Sequence, residues 1–525
     1  MSTLAAFPRL NSAQKELDEG RFESASALVI QHLRENRNEP RGLALLGAIA
    51  MKTGALVQAE QFLRQAMILG NRSLEIQRDM ASTINQQERL GEALEMFTAL
   101  QRHHPDPQIR ATRAHILDKL GRTDEALREY EEVIAIKPDD PQFLVAYGNS
   151  LRSAGRTDDA IASLRRAIAI DPERGEAWWA LANIKSRVLT EDDIATMEEQ
   201  LKIAVDALNI IPIHFALGRA WHDRKLYEKA FHHFSEGNRL RAGTIDYSAN
   251  DLTDEVSDVI RTFDGRFFAT AVQTRPKGPV PIFLISMPRA GSTLLEQMLD
   301  QHGDIQAVGE LPYLRALVRS ALEIHTRRRP VKVPDLVAEM VPEETAAYGD
   351  DYLERASLHL HGRPRYFIDK MPMNWSDVPF IRRVLPQARF IEIRRDPMDC
   401  CFSNFIHYFS RAHASSFSLR DIGRSYVDYA RMLDHIRAVA PDLVCHVVYE
   451  DLVENPEREL RRVLDYLDLQ WDESLLRFYE SDRTVRTPSA EQVRRPLNRT
   501  GMGAWKPYED WLGPLRDALG PLANS

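Results

Sequence analysis

The chain has 525 residues, too many for one ordinary core, so two or more folding units are expected. Its 44% apolar and 28% charged content with a net charge of −9 excludes the basic excess of a nucleic-acid binder, so any anion site must be built locally from Arg, Lys and backbone amides. No stretch approaches the roughly 18 apolar residues of a membrane span, and three cysteines (Cys400, Cys401 and Cys445) cannot make a disulfide framework.

The first half repeats. A small residue recurs at Ala25, Ala59, Ala93, Ala126 and Ala160, in steps of 34, 34, 33 and 34. Twelve residues before most of these stands another, at Ala13, Gly47, Ala81, Ala114 and Gly148. Four residues after them stands a large apolar one: Val29, Leu63, Phe97, Tyr130 and Leu164. Pro105, Pro138 and Pro172 close three units at one phase. This is a helix-turn-helix unit in which small residues allow close approach, large ones fill grooves between neighbouring hairpins, and proline stops the second helix. The pattern resembles the tetratricopeptide repeat over roughly residues 8–172. Trp178 to Ile211 reads as a degenerate unit, and Leu217, Gly218, Trp221, Ala230 and Phe234 as a further good one. Such a solenoid is expected to bind a polypeptide or partner, with Trp178 and Trp179 serving packing.

The period then changes. The all-α solenoid is expected over 1–245, a linker over 246–277 ending in Arg275-Pro276-Lys277-Gly278-Pro279, and an α/β domain with a central parallel sheet over 278–525. Short apolar runs at 280–285, 366–368, 388–393 and 444–449 predict its strands. The first run leads through Ser286-Met287-Pro288-Arg289-Ala290-Gly291-Ser292-Thr293 into a helical segment. Strand, glycine turn, hydroxyls and helix start make an anion site to which Arg289 adds charge. It is not a Walker A loop, because no lysine follows Gly291, so a kinase or NTPase loses ground. After the third strand run, Arg395 and Ser403 stand where they could hold a second phosphate.

With these residues in view, the domain resembles the sulfotransferases, most closely the tyrosylprotein sulfotransferase branch and its bacterial relatives. Gly309-Glu310, Asp369-Lys370-Met371-Pro372, Tyr449-Glu450-Asp451-Leu452 and the Ser489–Asn498 segment follow in the family's order. The resemblance implies a P-loop-like fold and 3′-phosphoadenosine-5′-phosphosulfate as co-substrate, with no metal. It assigns Arg289, Ala290, Gly291, Ser292 and Thr293 to the 5′-phosphosulfate, and Arg395 and Ser403 to the 3′-phosphate. Tyr449, Gln492, Val493 and Asn498 would close over the nucleotide. Glu310 matches the catalytic base, and Lys370 and Ser489 match groups that stabilise the leaving phosphate and the transferring group. A carboxylate base and a lysine beside the bridging oxygen are what transfer to a hydroxyl requires.

The family's secretory members are membrane-anchored and disulfide-bonded. This chain shows no signal-peptide pattern and is expected to be cytoplasmic, without nucleic-acid or membrane partners. Leu311-Pro312-Tyr313 after Glu310 departs from the family's pattern, and His407 stands where those enzymes carry an additional arginine, which leaves the acceptor open. A protein tyrosine recruited by the solenoid is the first expectation, with a glycan, lipid or small phenol as alternatives. A repeat scaffold carrying a silent nucleotide module is the reading from a different class.

Overall fold

The computed structural model describes residues 7–184, 187–269, 278–327, 329–410, 412–480 and 496–524. The chain folds into two compact units: 1–136 with 312–336 and 350–358, and 137–311 with 337–349 and 359–525.

The first unit holds four helix pairs, from Pro8–Asp18 with Phe22–Glu35 to Pro107–Lys119 with Thr123–Ile136. The small residues do what their spacing predicts: Ala25, Ala59, Ala93 and Ala126 are fully buried. The large residues act within a hairpin, where grooves between hairpins were expected. A Cβ on Gly47 would lie 2.6 Å from Leu63 Cγ of the partner helix, so glycine is what lets these helices touch. Two later segments of the chain complete this unit. On the helix Tyr313–Thr326, the Glu323 carboxylate accepts from Val57 N at 2.9 Å and Gln58 N at 2.8 Å, capping the helix Leu56–Ile68. Arg319 and Arg355 donate to the carbonyls of Gln86 and Gln87 at 2.8 and 2.9 Å.

The second unit begins with three more pairs. In Pro141–Ser153 with Thr157–Ile170 and Ala207–Asp223 with Tyr227–Ala242, Gly148 meets Leu164 and Gly218 meets Phe234 in the same way as Gly47 meets Leu63. Between them lies the degenerate pair, Gly175–Ala182 and Glu191–Ile203, the latter opened by a reciprocal Thr190–Asp193 capping box. Trp178 is buried and donates to the Pro172 carbonyl at 2.8 Å, a packing role. Residues 246–277, expected to be a linker, contain the helices Ala249–Thr262 and Gly265–Ala269; Thr253 Oγ1 donates to Asp428 at 2.6 Å.

A five-stranded, wholly parallel sheet follows. Its strands are β1 (Val280–Ile285), β2 (Ile305–Gly309), β3 (Tyr366–Asp369), β4 (Arg389–Arg394) and β5 (Val444–Val448), in the spatial order β2-β3-β1-β4-β5. Four of these match the predicted runs; β2 adds a fifth. Ile282, Leu284, Ile368, Ile391 and Ile393 are fully buried, as strands covered on both faces require. The order places β1 between β3 and β4, so the chain leaves β1 toward one side and later crosses to the other. Ligands of such sheets bind at the carboxyl ends beside that reversal.

Candidate active site

Each strand runs directly into residues singled out from the sequence. In register, Gly309 pairs with Asp369, Phe283 with Asp369, Ile285 with Glu392, and Arg394 with Val448. Glu310, Lys370, the loop 286–293, Arg395 and Tyr449 therefore leave one edge of one sheet.

After β1 the chain turns sharply. Arg289 has φ 66° and Gly291 φ 99°, and Gly291 is the N-cap of the helix Ser292–Leu299. A Cβ on Gly291 would lie 2.4 Å from Tyr449 Cδ2, so backbone and aromatic ring touch directly. The amides of the first helical turn face back along the axis toward the loop, the geometry that receives an anion. Ser292 and Thr293 are buried there. Ser286 N donates to the Pro372 carbonyl at 3.0 Å and ties this loop to the one after β3.

That second loop carries Lys370. Its amide donates to the Gly309 carbonyl at 2.9 Å, and its ammonium donates to Glu310 Oε1 at 2.5 Å. Leu311 N donates to Asp369 Oδ1 at 3.3 Å, which fixes the chain on the other side of Glu310. Lysine has three N–H donors, so one can hold Glu310 while others address a ligand.

On the far side of β1, Arg395 opens the loop after β4. It donates to the Arg289 carbonyl at 2.9 Å and to the Gly501 carbonyl, and its guanidinium lies over the Tyr449 ring at 5.2 Å. Arg289 Nε donates to Ser403 Oγ at 3.3 Å, so both arginines converge on the helix Pro397–Phe405. Burial, with Arg395 and Arg219 nearby, brings the Arg289 guanidinium down to about 10, still cationic at neutral pH. Burial raises the Tyr449 phenol.

Some contributors escaped the sequence reading. Asn404 donates to the Pro288 carbonyl at 2.7 Å and to the Cys400 carbonyl at 2.8 Å, bracing the phosphate-type loop from behind. Asp399 accepts from Gly503 N at 2.6 Å and Trp505 N at 3.4 Å, returning the C-terminal segment to the Arg395 turn. Behind the turn, Glu392 is buried and accepts from Tyr429 at 2.5 Å, Arg394 at 2.9 Å, and His446. Burial alone would raise this carboxyl, but His446, Arg394 and Tyr429 hold it down at about 2. Arg394 is thus a salt-bridge partner rather than a ligand, with Asp434 at 3.1 Å as its second carboxylate. Only the Asp-Pro after Arg395 hinted at this capped turn, and nothing local announced the Glu392 pair.

Ser489, Gln492 and Val493 lie outside the described residues. Asn498 is exposed, and its side-chain oxygen accepts from Thr500 N at 3.2 Å and Thr500 Oγ1 at 2.5 Å, a local turn. Leu497 beside it packs against the sheet's core. His302 bridges Gln470 O at 3.0 Å and Asp304 N at 3.1 Å, a structural role. Among the described residues no cluster of three or more His, Cys, Asp or Glu could hold a metal, and no helix is long and apolar enough to cross a membrane. Cys400, Cys401 and Cys445 are buried free thiols.

Two possible donors in the site, Ser286 Oγ and Arg395 Nε, are buried without a hydrogen-bond partner among the described residues.

Residues 281–473 match the model of the sulfotransferase family, and residues 85–147 and 119–184 that of the tetratricopeptide repeat. An uncharacterized protein of Aquifex aeolicus is 29% identical over 347 residues, covering 62% of this chain and 45% of that protein. The chain thus spans under half of that relative's length. A putative protein-tyrosine sulfotransferase of Caenorhabditis briggsae is 26% identical over 249 residues, covering 45% of this chain and 85% of that protein. Among solved structures, the sulfotransferase domain from the Synechococcus PCC 7002 olefin synthase is 26% identical over 45% of this chain and 91% of its own, with a TM-score of 0.31. The resemblance drawn from the loop 286–293 and its companions is borne out. The family match takes in Glu310, Lys370, Arg395, Ser403 and Tyr449, and stops short of Ser489, Gln492, Val493 and Asn498.

Proposed function

We propose that this chain moves a sulfuryl group from 3′-phosphoadenosine-5′-phosphosulfate to an acceptor hydroxyl, with a protein tyrosine as the first acceptor to test. The observation that carries the reading is the pairing of Lys370 with Glu310 at 2.5 Å, on strand ends that flank an anion-type loop.

In this reading the co-substrate supplies an activated sulfuryl group on a phosphate leaving group. The loop 289–293 and the amides of the following helix hold the 5′-phosphosulfate. Arg395 and Ser403 take the 3′-phosphate, with Tyr449 against the loop. Glu310 removes the acceptor proton as general base, and Lys370 stabilises charge developing on the bridging oxygen. Ser489, Gln492, Val493 and Asn498 remain proposed contacts from the resemblance. The tetratricopeptide units would recruit the polypeptide acceptor, and the enzyme would work in the cytoplasm without a metal.

Calorimetry with adenosine 3′,5′-bisphosphate tests the donor half. Arg395→Ala should lose roughly 2–5 kcal/mol, the scale of truncating a buried charge contact. Equal affinity of the native chain for adenosine 5′-monophosphate and the bisphosphate would count against it. Labelled donor with tyrosine peptides, glycans, lipids and phenols tests the other half; tight binding with no turnover on any of them would favour a silent binding module.

A further inference from the structure

The helix Pro397–Phe405, which carries Ser403, is held by the repeats. Phe405 is its last residue, so the Phe405 carbonyl has no partner within the helix. Asn238, on the repeat helix Tyr227–Ala242, fills that place: its Nδ2 donates to the Phe405 carbonyl at 2.8 Å. Asn238 is 1% exposed, and burying an amide is costly unless such a bond offsets it. Arg241, three residues on and so on the same helix face, is also buried. Its Nε donates to the Ser410 carbonyl at 2.9 Å. Ser410 stands at φ 58°, a left-handed conformation that a serine keeps only where its surroundings impose it.

Between these two anchors the stretch is gripped by aromatic rings. Trp179 packs edge-on against His407 at 5.3 Å and Tyr408 at 6.2 Å, and Phe215 lies 5.2 Å from Tyr408. Trp179 belongs to the helix Gly175–Ala182 and Phe215 to Ala207–Asp223. What this grip fixes lies immediately upstream. Asn404, next to Phe405, donates to the Pro288 carbonyl at 2.7 Å, and Ser403 Oγ accepts from Arg289 Nε at 3.3 Å. Contiguous backbone and hydrogen bonds therefore lead from Asn238 to the anion loop.

We propose that Asn238 and Arg241 are positioning residues of the nucleotide site: the last repeat pair sets the placement of Ser403 and, through it, the preference for a 3′-phosphate. The inference rests on the sulfotransferase reading and adds that the repeats contribute to its nucleotide specificity. Neither residue contacts the nucleotide; each acts through the backbone it holds.

The test is calorimetry of the full chain with adenosine 3′,5′-bisphosphate and with adenosine 5′-monophosphate. Asn238→Leu keeps the branched shape and removes the amide N–H. It should weaken the bisphosphate at least about tenfold and leave the monophosphate unchanged. Arg241→Lys keeps the stem and charge but loses the guanidinium fork. It should show a smaller loss of the same one-sided kind, and it carries the test should Asn238→Leu not fold. Ser403→Ala separates positioning from packing: if Asn238 acts through Ser403, adding Asn238→Leu to it should cost less than about twofold more. Equal weakening of both ligands, or losses that add in the double variant, assigns the two residues to packing and overturns the inference. Both variants keeping the full preference overturns it as well. A native chain that does not prefer the bisphosphate overturns the sulfotransferase reading of this site, and the inference with it.

Discussion

Lys370 and Glu310 meet at 2.5 Å with unequal burial: the lysine side chain is 1% exposed and the glutamate 41%. The ammonium is committed to the interior, and the carboxylate is the member open to an incoming hydroxyl. A buried cation needs its partner, so the pair also preorganises the site.

From this asymmetry, Glu310→Gln should leave binding of adenosine 3′,5′-bisphosphate nearly unchanged and slow transfer about 10²–10⁴-fold, the range for a lost general base. Glutamine keeps the volume and still accepts from Lys370. Lys370→Ala should slow transfer too, and its defect should shrink with a donor analogue carrying a better leaving group. Steady-state rates on both donors check the pair, and an active Glu310→Gln enzyme would remove Glu310 from the role.

Gly291→Ala should be far worse than its one added methyl suggests. The position has φ 99°, and the new Cβ would stand 2.4 Å from the Tyr449 ring. The backbone term alone is worth about 1–3 kcal/mol. Adding Tyr449→Ala should relieve the clash but not the dihedral cost. A double variant restored to native melting temperature would mean that the loop has a second conformation.

How much of this was legible depends on sequence distance. The repeat could be read because Gly47 and Leu63, or Gly148 and Leu164, are small–large pairs returning at fixed phase. The anion loop could be read because Arg289 to Thr293 are contiguous between a strand and a helix. β2 was hidden because Ile305-Gln306-Ala307-Val308-Gly309 is short and carries a polar residue at its second position. Glu310 and Lys370 could be named through resemblance, but their contact joins residues 60 apart and belongs to tertiary structure.

The Glu392 carboxylate should leave a signature in acid. Folded, it sits near 2 against an ordinary 4.5, because His446, Arg394 and Tyr429 favour the charged form over the penalty of burial. A depressed carboxyl contributes stability that is fully present above the unfolded value and lost as pH falls toward the folded one. The contribution is therefore complete above about 4.5 and fades between there and about 2. Glu392→Gln should cost roughly 3–5 kcal/mol near neutral pH, the scale of breaking a buried ion pair. It should also flatten the acid limb of stability against pH, measured by denaturant unfolding. An unchanged limb would show that the cluster does not titrate with folding.

The last prediction concerns where the chain can be cut. Composition and periodicity suggest a fragment starting near Arg275, since the anion loop and its partners all follow it. The contacts of the second unit argue otherwise. Tyr508 is fully buried, its hydroxyl 2.7 Å from His222 Nδ1, with the two rings stacked at 6.0 Å. Phe231 stacks on Phe405 at 6.0 Å and on Trp511 at 5.2 Å. His222 and Phe231 would be absent from the fragment, leaving Phe405, Tyr508 and Trp511 facing water. These residues also border the Asp399 contacts that return the C-terminal segment to Arg395. Each aromatic stripped of its cover forfeits about 1.5–3 kcal/mol, a sum comparable to a domain's whole stability. The fragment should lose its near-UV circular dichroism and bind adenosine 3′,5′-bisphosphate at least about a hundredfold more weakly than the full chain, through loss of the fold. Native-like dichroism with intact affinity would show that the sheet folds and binds without the repeats.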